Sequence, residues 1–147
     1  MYYIQSESSF DAAHFLKGYS GKCANLHGHR WRVTVSIQGP ALSEEGPTRG
    51  MLRDFGDVKR DLAALTEPLD HALLAEENSL MPATLAALEA EGFRMVFFPF
   101  PTTAENLARY FYQGMTDRGY RVREAAVWET PANCAVYDGT GKERPHG

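Results

Sequence analysis

Alternation is sharpest at residues 29–38, where Trp31, Val33, Val35 and Ile37 fall on one face and Arg30, Arg32, Thr34 and Ser36 on the other. A period of two marks a strand with one buried face. Residues 2–10, rich in Tyr, Ile, Ser and Phe, predict a strand ahead of it, and residues 15–28, with Gly18, Ser20, Gly21 and Gly28, a loop between the two. Glycines and prolines at 39–50 predict a second loop. Val58, Leu62 and Leu65 stand at helical spacing, which predicts a helix over about 58–66, capped by Asp57 and ended by Pro68. Residues 72–91 read as helical with a break at Pro82, and residues 93–98 as a short extended run. Leu107, Tyr110, Phe111 and Met115 predict a helix over about 103–116, entered at Pro101 and closed by a capping box of Thr102 with Glu105. Two strands, 120–130 and 132–138, follow around Pro131-Ala132.

The order strand, strand, helix, helix, strand, strand predicts an α+β fold: an antiparallel four-stranded sheet with two helices on one face. Such a sheet leaves one face and its edges to be covered, as an assembly of subunits would do. At 147 residues the chain suits one domain, taken as residues 1–139, with 140–147 as a flexible tail. A net charge of -4 argues against nucleic acid as the main partner. No apolar run approaches the roughly 20 residues of a membrane helix, and the N-terminus lacks the pattern of a signal peptide. The expected location is the cytoplasm, where Cys23 and Cys134 are free thiols.

The chemistry concentrates in Leu26-His27-Gly28-His29. Histidines two apart in extended backbone share a face and can grip one ion. His14 closes Phe10-Asp11-Ala12-Ala13-His14, and pairing of the first two strands as a hairpin would bring it to His27 and His29. Three imidazoles without a fourth protein ligand describe a catalytic zinc site with an open position; the alternative is a set of ordinary core or surface histidines. Cys23, four residues before His27, can be a fourth ligand, a nucleophile, a base or a small buried hydrophobe. Asp70-His71 has the composition of an acid–base pair, although a helix-end histidine is as common. Glu129 ends a strand, where a glutamate is usually solvated unless a ligand with paired N–H donors must be held.

Six segments in order resemble the 6-pyruvoyl-tetrahydropterin synthase / 6-carboxy-tetrahydropterin synthase family: residues 10–14, 23–29, 54–59, 69–71, 101–108 and 127–131. The resemblance implies the tunnelling fold, in which subunits join their sheets into a barrel, as trimers or stacked hexamers with sites between subunits. It implies that His14, His27 and His29 hold one Zn2+ per subunit. Cys23 matches the catalytic cysteine. Asp70 and His71 match an acid–base pair supplied from a neighbouring subunit. Glu129 matches the anchor of the pterin ring, with Thr103 and Glu105 lining the same pocket. Three residues between Cys23 and His27 resemble the bacterial carboxy-forming branch of the queuosine pathway. The expected reaction is a lyase step that converts 7,8-dihydroneopterin triphosphate to 6-carboxy-5,6,7,8-tetrahydropterin, acetaldehyde and triphosphate. The alternatives are a pyruvoyl-forming or side-chain-cleaving synthase and a non-catalytic zinc protein of the same fold. Lys22, Arg30 and Arg32 are candidates to meet the triphosphate. The segment 72–100 is longer than in many members and can alter substrate choice.

Overall fold

A computed structural model describes residues 1–141; the expected tail over 140–147 lies outside them apart from Thr140 and Gly141. The strands are β1 (Tyr2–His14), β2 (His27–Gly39), β3 (Ala72–Glu76), β4 (Met95–Phe98), β5 (Val122–Thr130) and β6 (Asn133–Tyr137). The helices are α1 (Phe55–Thr66), α2 (Pro82–Ala90) and α3 (Ala104–Asp117). All six strands form one sheet in the order β4-β3-β1-β2-β5-β6. The α+β class holds, but the four-stranded, purely antiparallel expectation does not. β3 runs parallel to β1, and β4 parallel to β3.

The central hairpin explains itself. β1 and β2 pair over their full lengths, Tyr2 opposite Gly39 and His14 opposite His27. The register puts Phe10 across from Trp31 and Ile4 across from Ile37, so the apolar face of β2 meets apolar residues at both ends of β1, with Ser6 and Ser8 between them. Trp31, Val33 and Val35 are completely buried there. α1 and α3 close that face: Val58 and Leu62 from the first, Leu107, Phe111 and Met115 from the second, belong to the same core. Each such side chain contributes roughly 2 kcal/mol by leaving water.

The segment after His71 is where the sequence reading fails. Residues 72–91 were expected to be helical, yet Ala72-Leu73-Leu74-Ala75-Glu76 is a strand and only the stretch after Met81 is helix. Alanine and leucine favour helix weakly, and pairing outweighs that preference. His71 takes φ 57 and Asn78 φ 62, left-handed turns that bracket the strand. A parallel neighbour needs a crossover connection, and α2 lies in the one between β3 and β4. α2 buries none of its residues. It lies within the stretch expected to be helical and begins at the expected Pro82 break, but it makes a third helix where the fold expectation has two.

Both cap expectations move as well. Asp54, not Asp57, caps α1: its side chain accepts from the Asp57 N–H at 3.2 Å. Thr103, not Thr102, caps α3, accepting from the Asn106 N–H at 3.2 Å. Glu105 stands exposed in the first turn of α3 and closes no box with Thr102. No helix among the described residues is long and apolar enough to cross a membrane.

Candidate active site

The hairpin register delivers the three histidines to one place. His14 ends β1 opposite His27 at the start of β2, and His29 is two residues further on the same face. One ring nitrogen from each lies within 4.8 Å of the others. The His14 and His27 ring centroids are 4.5 Å apart, and His27 and His29 are 4.8 Å apart. Trp31, the next inward residue of β2, sets a wall: its ring stands edge-on to His14 at 4.9 Å and to His29 at 5.2 Å.

The hydrogen bonds decide which nitrogen each ring offers. His14 Nδ1–H donates to the Thr102 carbonyl at 2.9 Å, and His27 Nδ1–H to the Asn25 carbonyl at 2.6 Å. A carbonyl only accepts, so each Nε2 keeps its lone pair. His14 is 1% exposed, and its Nε2 and that of His29 are buried without any partner. A buried polar atom left unpaired costs free energy unless something binds it. Burial pushes His14 down to about 4, against the opposing pull of the Thr102 carbonyl, and the neighbouring histidines lower it further. Burial also lowers His29, against the negative charge of Glu129. The His14 and His29 imidazoles are therefore neutral near pH 7, the form that ligates. Three converging ring nitrogens, two of them buried without a partner and two of the rings fixed by backbone carbonyls, fit a metal ion.

Other predicted residues gather at this end of the sheet. Glu129, near the end of β5, acts on His29 through its charge. Cys23 is a free, half-buried thiol in a 3-10 turn, Lys22–Ala24, between the two strands. The Cys23 carbonyl accepts from the Leu16 N–H at 2.9 Å, which folds the loop back on itself. Thr103 and Glu105 open α3 directly after Thr102, which holds His14.

Asp70 and His71 touch each other: His71 Nδ1 is 3.0 Å from Asp70 Oδ2. The pair is pinned to β1, since Asp70 Oδ1 accepts from the Asp11 N–H at 2.9 Å and the His71 N–H donates to the Asp11 carbonyl at 2.6 Å. The Asp11 N–H first, then His71, holds the Asp70 carboxyl below its ordinary range. The left-handed backbone of His71 is a strain of order 1 kcal/mol or more. The His71 side chain is 78% exposed and borders a cleft of about 630 Å3 with Asp11, Ala13, Gly28, Arg30 and Arg94. Asp11, Ala13, Gly28 and Arg30 alternate along their strands with the inward-facing residues. Among the described residues no hydrogen bond or ring contact joins His71 to His14, His27 or His29. The pair and the triad thus make no direct contact, but His29 of the triad lines the same cleft as His71.

The candidate phosphate cations split. Arg30 is committed to Asp11 in a two-pronged ion pair at 3.0 Å, and Arg32 lies over the Trp128 ring at 4.4 Å. Lys22 stands exposed in the Cys23 turn. Sequence reasoning missed Thr102 as the anchor of His14, Asn25 as the anchor of His27, and Arg94. The first two act through backbone carbonyls, which carry no residue signature.

A protein with this fold and a three-histidine metal cradle matches a family model along almost its whole length. Residues 3–140 match the 6-pyruvoyl tetrahydropterin synthase model, and the chain belongs to that family. The 6-carboxy-5,6,7,8-tetrahydropterin synthase of Haemophilus influenzae is 35% identical over 140 residues, covering 93% of this chain and 99% of the relative. The enzyme of the same name from Aquifex aeolicus is 33% identical over 126 residues, covering 79% and 75%. Among solved structures, an uncharacterized protein from Wolinella succinogenes superposes with a TM-score of 0.82 at 20% identity, covering 95% of this chain and 98% of the other. The Caenorhabditis elegans 6-pyruvoyl tetrahydropterin synthase superposes with a TM-score of 0.67 at 23% identity, covering 95% and 96%.

Proposed function

We propose that this protein is a zinc-dependent lyase that converts 7,8-dihydroneopterin triphosphate to 6-carboxy-5,6,7,8-tetrahydropterin, acetaldehyde and triphosphate, with uptake of water, in queuosine biosynthesis. The observation that carries the reading is the triad, His14, His27 and His29, whose lone pairs converge with no protein partner for the buried Nε2 atoms of His14 and His29. The relatives named for this reaction supply the substrate class.

The roles are those the family resemblance implies. His14, His27 and His29 hold one zinc ion per subunit. When bound, zinc supplies Lewis acidity toward the side-chain oxygens of the substrate and acidifies the adjoining C–H. Glu129 takes paired hydrogen bonds from the amino-pyrimidinone edge of the pterin, a geometry selective for a carboxylate. Thr103 and Glu105 line the same pocket. Cys23, as thiolate, accepts a side-chain proton. His71, oriented by Asp70, carries protons to and from the side-chain oxygens. Triphosphate leaves by elimination, and a retro-aldol-type cleavage of the remaining chain releases acetaldehyde. The exposed side chain of His71, which makes no direct contact with the triad, and the family resemblance support a homo-oligomer, a trimer or a hexamer, in which the pair serves a neighbouring subunit's metal. The compartment is the cytoplasm.

The test is incubation with 7,8-dihydroneopterin triphosphate, with the products identified by mass spectrometry and zinc measured on the same sample. Acetaldehyde and the carboxy pterin are expected. A retained pyruvoyl chain would move the protein to the other branch, and no turnover by zinc-loaded protein would sink the assignment. In Cys23→Ala, product should fall at unchanged zinc content; lost zinc would make Cys23 a ligand instead.

A further inference from the structure

We infer that Arg94 is a positioning residue for the acid–base pair, an inference that rests on the roles given to Asp70 and His71 above. Arg94 stands at the end of the β3–β4 connection, one residue before β4. Its Nη1 donates to the Glu67 carbonyl at 3.3 Å and to the Asp70 carbonyl at 3.1 Å. The second of these belongs to the peptide that joins Asp70 to His71.

That peptide is the critical one. Asp70 sits at φ -67, ψ 131, and His71 at φ 57. An extended residue followed by a left-handed one is the pattern of a type II turn, whose second corner ordinarily favours glycine or asparagine. The competing type I geometry suits histidine better. It turns the central peptide over, so its carbonyl would point away from its present position. Arg94 on the Asp70 carbonyl holds the turned-over form, and the bond to Glu67 fixes where the guanidinium sits. Asp11 completes the frame, with its N–H on Asp70 Oδ1 and its carbonyl accepting from the His71 N–H. With the peptide so held, His71 Nδ1 lies 3.0 Å from Asp70 Oδ2. A guanidinium suits the task, being always protonated and donating in a fixed plane to groups that can only accept. Among the described residues no carboxylate lies at ion-pair distance from Arg94. The connection that lengthens this chain thus returns one residue to the turn that carries the acid–base pair.

The experiment is Arg94→Ala, read in three ways. In a crystal structure of the variant the Asp70–His71 peptide should turn over and the Nδ1–Oδ2 contact should be lost. In steady-state kinetics kcat should fall roughly tenfold to a hundredfold, with KM and zinc content unchanged. In a His71→Ala background, Arg94→Ala should cost nothing further, because the group it places is already gone. Arg94→Lys, which keeps one donor, should recover part of the loss. His71 still left-handed and paired with Asp70 in Arg94→Ala would overturn the inference, as would undiminished kcat or an additive double variant. If the peptide turns over but the parent protein processes no pterin triphosphate, the clasp stands and the functional reading falls. Should Arg94→Ala not fold, Arg94→Gln gives the same readouts.

Discussion

Single side chains in this protein act mainly through the groups they fix, and Tyr120 shows the energetic side of this. Its ring is 3% exposed, its hydroxyl donates to Asp61 Oδ2 at 2.5 Å, and the Arg53 guanidinium lies 4.3 Å over its face. The Tyr120 hydroxyl first, then Arg60, holds Asp61 below its ordinary value of 3.8. A carboxyl depressed on folding stabilises the protein above that ordinary value, and the contribution is lost as pH falls from there through the folded value. Tyr120→Phe keeps the ring and removes the donor. It should cost about 1 kcal/mol at neutral pH, measured by urea denaturation, and the gap from the parent should narrow once the pH drops below 3.8. A gap that stays constant into acid would mean the hydroxyl bond is not what holds Asp61. The same scale explains what could be read of the site in advance. His27 and His29 were legible because a strand repeats every two residues, and His14 because a hairpin brings strand ends together. Thr102, Asn25 and Arg94 were not, because the first two work through their own backbone carbonyls and Arg94 works on the carbonyls of Glu67 and Asp70. That partnership depends on folding and leaves no mark in residue type.

At the scale of elements, the two repositioned helix caps have one cause. Asp54 and Asp57, like Thr102 and Thr103, are all acceptable cap residues, and the apolar stripe that follows tolerates a shift of one to three positions. Packing chooses. With Thr103 as the cap, Thr102 is left at 1% exposure with its carbonyl on His14. The start of α3 thereby divides two tasks between adjacent threonines. Thr103→Ala should destabilise the protein by about 1 kcal/mol, while Thr102→Ala leaves both the cap and the carbonyl bond to His14 in place. Thermal unfolding of the two variants separates them, and a larger loss in Thr102→Ala would return the cap to that residue. β2, α1 and α3 were readable because each carries one long amphipathic period. β3 was not: five residues of alanine, leucine and glutamate have no period of their own, and their extended form comes from the pairing with β1 at Ala12–His14. β4 was legible as the extended run over 93–98, but without β3 its parallel place in a six-stranded sheet was hidden.

For the whole molecule, the decisive fact is that the two halves of the proposed chemistry make no direct contact in one chain and meet only at the cleft that His29 and His71 both line. His14 and Trp31 belong to the buried, helix-covered face, whereas His71 opens into the cleft beside Asp11 and Arg30. β3 pairs β1 only at Ala12–His14, so the earlier part of β1 presents an edge on that side, and β6 forms the far edge of the sheet. Unpaired edges of this kind invite a second copy. If the working site is assembled from two subunits, then His27→Ala, lacking the metal, and His71→Ala, lacking the proton carrier, should each be inactive alone. Subunits of the two mixed in equal amounts and reassembled should regain activity. With random assortment about a quarter of the sites would draw an intact triad from one chain and an intact Asp70–His71 pair from another. A site built within one chain would gain nothing from mixing, since every chain would still carry one defect. Zinc should reach about half occupancy in the mixture either way, so metal content reports proper assembly of the sample while activity alone reports the shared site. Activity that stays at background in a mixture with that zinc content would place the whole reaction inside a single subunit.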